Sequence, residues 1–278
     1  MNLDYKALKN TYINLFENSE KCDFILTDVL FAFNELYPII NNSKIKNVLE
    51  IGSGTGILLK ELSNIFENKT FYGLDPHKRG FDSYEKISKK ISNKNLKIFH
   101  DDFEKFNPKE GFDLIFSFNV FEHLVDQLSY INKTYEFLNE DGKSVILCPN
   151  YDFPYEPHFV IPIIINKKFT FRIFKKKIIK HEAKTNEPGL WKGLNFCSKK
   201  KIKNYLGKNN FDHQFDLTIA KRFLDRIDND ESSYFQKRQG IVAKIARIAK
   251  KINLDKLIFD FFKIPFPYMK IIIRKRLK

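Results

Sequence analysis

The chain is short of the residues that staple small extracellular folds. It has three cysteines in 278 residues, Cys22, Cys148 and Cys197. An odd number of scattered thiols without a C-x-x-C pair argues against both a disulfide framework and a zinc site. No uncharged apolar run approaches the roughly 18 residues that cross a bilayer, and Met1-Asn-Leu-Asp-Tyr-Lys6 lacks the apolar core of a signal peptide. The expectation is a cytoplasmic protein, at most peripheral to the inner face of a membrane. Alanine (seven) and arginine (eight, against 40 lysines) are scarce beside abundant Ile, Asn, Phe and Lys. That bias is the mark of a low-GC coding sequence, so part of the lysine richness carries no functional message.

What is present is an ordinary globular composition, 43% hydrophobic, enough for one large domain or one domain with a sizeable insertion. The net charge of +14 is unevenly placed. Residues 221–278 hold 16 Lys+Arg against 6 Asp+Glu, a net +10 that leaves +4 for residues 1–220. Such a tail fits an anionic partner, whether a phospholipid surface, a nucleotide-bearing substrate or nucleic acid, and equally a solvated surface.

Periodicity gives the organisation. Residues 3–40 read as helical, closing at Pro38. Strands and helices then alternate as in a parallel sheet: strand 46–51, helix 57–66, strand 70–74, helix 77–91, strand 96–99, the almost wholly apolar strand 112–118, helix 124–138, a turn at Asp141-Gly142, and strand 144–148. Residues 149–195, with five prolines, clustered aromatics and a lysine-rich stretch, lack clean periodicity and read as an insertion over the sheet's carboxyl edge. A helix over 198–206 capped by Ser198 and a strand over 211–220 follow. Beyond an acidic break at Asp225–Glu231, residues 241–263 look helical, and 268–274 return as a final strand. The expected division is a helical region 1–45, an α/β core 46–150, an insertion 151–195, the end of the core 196–220, and a basic helical extension 221–278.

Val48-Leu-Glu-Ile-Gly-Ser-Gly-Thr-Gly56 is the most informative stretch. Glycines at alternate positions after a buried strand let the backbone turn sharply and approach a ligand just before a helix N-terminus. A dinucleotide loop, G-x-G-x-x-G, would need glycine where Ile57 stands. The E-x-G-x-G-x-G form, with Glu50 closing the strand, resembles the first motif of class I S-adenosylmethionine-dependent methyltransferases. The resemblance covers about residues 45–148 and, more weakly, 194–219. It implies a doubly wound, mostly parallel seven-stranded α/β sheet with an insertion after the fifth strand and a helical basic carboxyl-terminal extension.

By that resemblance Glu50, Gly52, Ser53, Gly54 and Gly56 cradle the amino-acid part of S-adenosylmethionine, with S-adenosylhomocysteine as product. Asp75, at the end of the second strand, accepts hydrogens from the ribose hydroxyls. Asp102, with Asp101 as a one-residue register alternative, bonds the adenine amino group, and Phe103 packs on the ring. Phe112–Leu124 looks like the fourth-strand region of the small-molecule branch, with Asn119 beside the cofactor and then Glu122-His123. His123 is a candidate general base, because an unperturbed pKa near 6.5 suits proton removal from a hydroxyl or amine; it could instead cap a helix or position Glu122. Asn119-Val-Phe-Glu122 lacks the proline pair by which amino-methylating nucleic-acid enzymes hold a flipped base.

The segment after the fifth strand should pass over the transfer site, making Tyr151, Tyr155, Glu156 and His158 acceptor contacts or, equally, packing residues. Trp191 walls that pocket or fills a satellite core. In the tail, Ile241, Ile245, Ile248 and Ile252 share a helical face with Lys244, Arg247, Lys250, Lys251 and Lys256 nearby, and Phe259, Phe261 and Phe262 follow. A basic amphipathic helix of this kind over 241–263 can lie in an anionic interface, pack on the protein, or form a dimer contact. Methyl transfer needs alignment more than a nucleophile or a metal, and no metal site is expected. The leading expectation is methyl transfer to a hydroxyl or amine of a small-molecule, lipid-linked or saccharide acceptor. The alternative is a nucleic-acid-directed enzyme or a catalytically silent cofactor-binding module; nucleic acid is disfavoured because the charge sits in the tail and is mostly lysine.

Overall fold

The computed structural model describes residues 3–78, 82–185, 187–229, 231, 234–252 and 265–276. In chain order the helices are α1 (Tyr5–Tyr12), α2 (Ser19–Ile40), α3 (Ile57–Ile65), α4 (Asp82–Ser88), α5 (Gln127–Phe137), α6 (Lys167–Thr185), α7 (Leu190–Gly193), α8 (Lys199–Lys208), α9 (Ile219–Asn229), α10 (Tyr234–Gln239) and α11 (Ile241–Lys251). The strands are β1 (Asn47–Ile51), β2 (Thr70–Leu74), β3 (Leu96–Phe99), β4 (Phe112–Phe118), β5 (Leu138–Pro149), β6 (Tyr155–Glu156), β7 (Ile161–Pro162), β8 (Asp212–Phe215) and β9 (Tyr268–Arg274). The chain forms two compact units, residues 43–216 with 267–278, and residues 1–42 with 217–266. The two terminal helical regions, separate segments in the sequence reading, thus belong to one unit, while the final strand belongs to the other.

The larger unit holds a seven-stranded sheet in the order β3-β2-β1-β4-β5-β9-β8. Strands β1 to β5 pair in parallel, and β9 runs antiparallel between β5 and β8. The order reverses between β1 and β4, so the loops leaving their carboxyl ends diverge and open the crevice in which doubly wound sheets bind ligands. Residues on β1 and β4 are buried on both faces, as central parallel strands require. Leu49, Ile115, Ile146 and Ile271 on one face pack with Tyr130 and Ile131 of α5 and Ile202 and Leu206 of α8. The helices begin where side chains satisfy their first amides. Asp126 Oδ1 accepts from Leu128 and Ser129 at the head of α5, and Ser198 Oγ accepts from Lys201 at the head of α8.

In the smaller unit α2 lies with α1, α9, α10 and α11. Arg222 grips the buried Glu35 with both arms of its guanidinium, at 2.5 and 2.7 Å. Arg226 pairs with Asp28 at 2.6 Å, its guanidinium lying over the rings of Phe31 and Phe235.

Several boundaries depart from the sequence reading, each for a local reason. Pro38 lies inside α2 rather than ending it, and the helix runs only two residues further, to Ile40. Of the helix expected over 77–91, Asp82–Ser88 is described as helical, residues 79–81 lying outside the described residues, and the helix expected over 124–138 starts three residues late, at the Asp126 cap. Asp141-Gly142 does not separate β5 from what precedes it. The pairing jumps from Phe112–Leu138 to Leu114–Lys143, a bulge with Asp141 at φ +59°. Within 149–195 lies the 19-residue α6, opened by Asn166, whose Oδ1 accepts from Phe169 at 2.9 Å. The strand expected over 211–220 ends at Phe215, and Ala220 and the acidic stretch to Asn229 are helical in α9. The helix expected over 241–263 is described to Lys251; Lys256, Phe259, Phe261 and Phe262 lie outside the described residues.

Ile271 is fully buried, paired with Ile146 of β5 and Phe215 of β8. Ile271→Ala should therefore destabilise the protein by about 2–5 kcal/mol in equilibrium urea unfolding. A cost below about 1 kcal/mol would mean that β9 is a detachable tail.

Candidate active site

The turn from β1 to α3 is made by Gly52, Gly54 and Gly56, all in the left-handed region with φ +77°, +51° and +74°. The amides of Gly52 and Ser53 donate to the Leu74 carbonyl, tying the turn to the end of β2. A Cβ at Gly52 would lie 2.2 Å from Val120 Cγ2, so glycine there is required both by φ and by the neighbouring turn. Asp75 continues the tie. Its Oδ2 accepts from the Gly54 amide at 2.9 Å and its Oδ1 from the His77 amide at 2.7 Å. His77, buried at φ +49°, places Nε2 2.7 Å from the Gly54 carbonyl and Nδ1 3.1 Å from His100 Nδ1. His77 was not singled out from the sequence; its signal was its place two residues after Asp75.

Glu50, at the end of β1, is 4% exposed, and its Oε2 has no hydrogen-bonding partner among the described residues. Burial, reinforced by the nearby Asp75 carboxylate, raises its pKa well above the ordinary carboxylate value. An orphaned, buried acid at a glycine loop asks for a cationic donor. The ammonium group of an amino-acid-type ligand fits it, and a pyrophosphate would be repelled.

Of the adenine-side candidates, Asp102 forms an ion pair with Lys78 at 2.6 Å at the surface, and Asp101 accepts from the Asp102 amide. The Phe103 ring lies in the core, 5.0 Å from that of Tyr130.

Beyond β4, Asn119 takes φ +55°; its amide donates to Leu147 and its Oδ1 accepts from the Tyr268 hydroxyl at 2.9 Å. The single turn Phe121–His123 follows. Asn195 clamps this turn, its amide donating to the Glu122 carbonyl and its side chain to that of His123, and Gln127 Nε2 donates to the carbonyls of Phe121 and Asn195. Neither Asn195 nor Gln127 stood out as a site residue, because both act through backbone carbonyls. The β6–β7 hairpin brings Glu156 and His158 alongside. His158 Nδ1 lies 2.6 Å from Glu156 Oε1, His158 Nε2 3.6 Å from Glu122 Oε1, and His123 Nε2 4.0 Å from the same oxygen. Four residues expected separately, Glu122, His123, Glu156 and His158, thus form one cluster. Tyr151 joins it through its hydroxyl, 3.2 Å from Glu156 Oε1, while its ring stacks on Phe196 at 4.2 Å. Tyr155 sits on β6, half-buried. Trp191 is a core residue of a satellite cluster with Phe159, Ile161, Ile178 and Leu194.

The electrostatics of the cluster differ from the expectation for isolated side chains. Although burial opposes it, the His158 imidazole and the amides of Phe159 and His158 bring Glu156 below its usual range, so it is a carboxylate. Burial, reinforced by His158, pulls His123 down to about 3 although 28% of its side chain stays accessible. His123 is therefore a neutral imidazole across the physiological range. That corrects the picture of a base poised near 6.5, because residue type alone does not report the loss of hydration.

The chain matches the family described as "Methyltransferase domain" over residues 22–214, and it belongs to that family. It is 28% identical over 221 residues to an uncharacterized protein of Mycobacterium tuberculosis, covering 76% of this chain and 72% of the relative. A malonyl-[acyl-carrier protein] O-methyltransferase of Ilyobacter polytropus is 32% identical over 105 residues, 37% of this chain and 39% of that one. The fold is similar to that of the plantazolicin methyltransferase BpumL crystallised with S-adenosylhomocysteine (TM-score 0.50, 12% identity, 98% and 90% of the two chains). Family and sheet order together make the protein a class I, S-adenosylmethionine-dependent methyltransferase.

The raised pKa of Glu50 has a testable sign. A raised acid stabilises the ligand-free fold only below its unfolded pKa and loses that contribution as pH rises toward the folded value. Glu50→Gln should thus raise the melting temperature of the ligand-free protein at neutral pH. It should also weaken S-adenosylhomocysteine by about 10- to 100-fold, from the lost charge-assisted bond. Wild-type affinity should climb with pH as Glu50 ionises, and the variant's dependence should be flatter. Calorimetry across a pH series checks this; identical slopes would remove Glu50 from the cofactor site.

Proposed function

We propose that the enzyme methylates a hydroxyl or amine of a small-molecule, lipid-linked or saccharide acceptor received by the Glu122–His123–His158 cluster. The supporting observation is the convergence of that cluster at the carboxyl edge of β4, next to the glycine turn that Val120 touches. In this reading Glu50 takes the ammonium group of the cofactor, Asp75 its ribose hydroxyls, and Asn119 lies beside the sulfonium; Asp101 or Asp102 takes the adenine amino group, with Phe103 beneath the ring. Tyr151, Tyr155, Glu156 and His158 line the acceptor side, and Trp191 supports them from the satellite core. The acceptor's lone pair forms the new bond to the methyl carbon while the carbon–sulfur bond breaks, its electron pair staying on sulfur to give the neutral thioether. The acceptor's proton leaves to water at the accessible edge of His123.

Asp75→Ala should weaken S-adenosylhomocysteine by about 1–3 kcal/mol, the cost of losing a half-buried acceptor. His123→Ala should lower kcat about 10-fold or more with cofactor affinity unchanged. Calorimetry and single-turnover kinetics separate the two effects. A His123→Ala variant with unchanged kcat, or tight NAD binding without a response to S-adenosylhomocysteine, would contradict the assignment.

Peripheral contact with an anionic membrane at the cytoplasmic face is the second element of the proposal. Among the described residues no helix is long and apolar enough to cross a membrane. On α11, however, Ile248 and Ile252 are 62% and 63% exposed beside the exposed Lys244, Arg247 and Lys251, whereas Lys250 is engaged with Asp225 at 2.5 Å. Basic residues at such a surface contribute about 1 kcal/mol each. The full chain should cosediment with phosphatidylserine vesicles at low salt, less so at physiological salt, and less as Lys244→Glu/Lys251→Glu. Equal pelleting of wild type and variant would remove α11 from any membrane contact.

A further inference from the structure

The ligand-bearing atoms of Glu122, His123 and His158 all lie within 4.8 Å of one another. The two separations to Glu122 Oε1, 3.6 and 4.0 Å, are too long for good hydrogen bonds. They approach the ligand-to-ligand edge of a tetrahedral ion, about 3.4 Å for bonds of about 2.1 Å. His123 and His158 are thirty-five residues apart in the chain, and only the hairpin after β5 brings them together. We propose that Glu122, His123 and His158 bind one divalent cation of the Zn2+, Mn2+ or Fe2+ class, and that the cation holds an oxygen of the acceptor. The inference rests on the reading of this cluster as the acceptor site and narrows it to an oxygen acceptor.

The donor set itself selects the ion. Two imidazoles and one carboxylate suit borderline divalent metals and leave open positions, unlike the all-oxygen cages that hold Ca2+. The surroundings are those of a ligand shell. The Glu156 carboxylate at His158 Nδ1 fixes the ring so that Nε2 faces Glu122, the arrangement by which outer carboxylates orient metal-binding imidazoles. Asn195 and Gln127 pin the backbone that carries Glu122 and His123, so these two ligands come from a turn already held in shape. The open position takes a hydroxyl or carboxylate oxygen of the acceptor and favours its deprotonated, nucleophilic form.

The test is calorimetric titration of the chelator-stripped full chain with Zn2+, beside S-adenosylhomocysteine titrations of the same preparations. Wild type should bind one equivalent of Zn2+. Glu122→Gln and His158→Ala should each weaken it at least 10-fold, and Glu156→Gln, by releasing the ring, about 10- to 100-fold. A Cys148→Ser/Cys197→Ser variant should keep the equivalent, which separates this site from the thiols. Retained S-adenosylhomocysteine binding in each variant shows that it is folded and that the cofactor reading stands independently. Absence of stoichiometric Zn2+ binding in wild type, equal affinity in Glu122→Gln, or loss of the equivalent with the cysteines would overturn the proposal.

Discussion

The structure depends on one tight reversal, the passage from β1 into α3 at the carboxyl edge of the sheet. Three residues there hold positive φ, one of them pressed against Val120, and the turn is closed by the Leu74 carbonyl and the Asp75 carboxylate. Because β1 and β4 are neighbours in the sheet, closing this turn also fixes where the chain after β4 emerges. Glu50 is left beneath the turn, desolvated and with one oxygen unpartnered among the described residues. A buried polar atom of this kind costs stability unless a ligand satisfies it. The ligand-free fold therefore carries an electrostatic debt that a ligand's hydrogen-bond donor relieves, a cationic one most of all.

The same edge gathers the other ionisable groups, and the fold gives each a different state. Glu50 is pushed toward its neutral form by burial, Glu156 is kept ionised by an imidazole and backbone amides, and His123 is kept neutral by desolvation. Groups driven apart in this way at one sheet edge are the signature of a site in which each has its own task. The insertion after β5 supplies two of the four residues of the cluster. Its hairpin carries Glu156 and His158, and the satellite core around Trp191, with α6 packed through Ile178, holds the segment in place.

The glycine turn and its tie to Asp75 were legible in the sequence, because alternate glycines after a buried strand and an acid closing the next strand act locally. The sheet was legible for a related reason: β1, β2 and β4 are short apolar runs, and even β9 could be read as a returning strand. The cluster beyond β4 was less so. Glu156 and His158 could be named as candidates, but not their convergence on Glu122, which depends on how a two-residue hairpin folds back. Helix α6 escaped because eight of its nineteen residues are Lys or Arg and only Thr170 and Ile178 are buried, so no apolar stripe marks it. His123 was assigned a base's pKa because sequence reports residue type and not hydration.

The central claim is that one edge of the sheet presents a buried carboxylate to the cofactor and a carboxylate–imidazole cluster to the acceptor. A crystal structure of the full chain with S-adenosylhomocysteine tests it most directly. The account predicts the ligand's ammonium group within hydrogen-bonding distance of Glu50 Oε2, its ribose against Asp75, and its sulfur facing the side of Glu122, His123 and His158. A ligand bound with Glu50 still unpartnered, or with its sulfur turned away from that cluster, would contradict it.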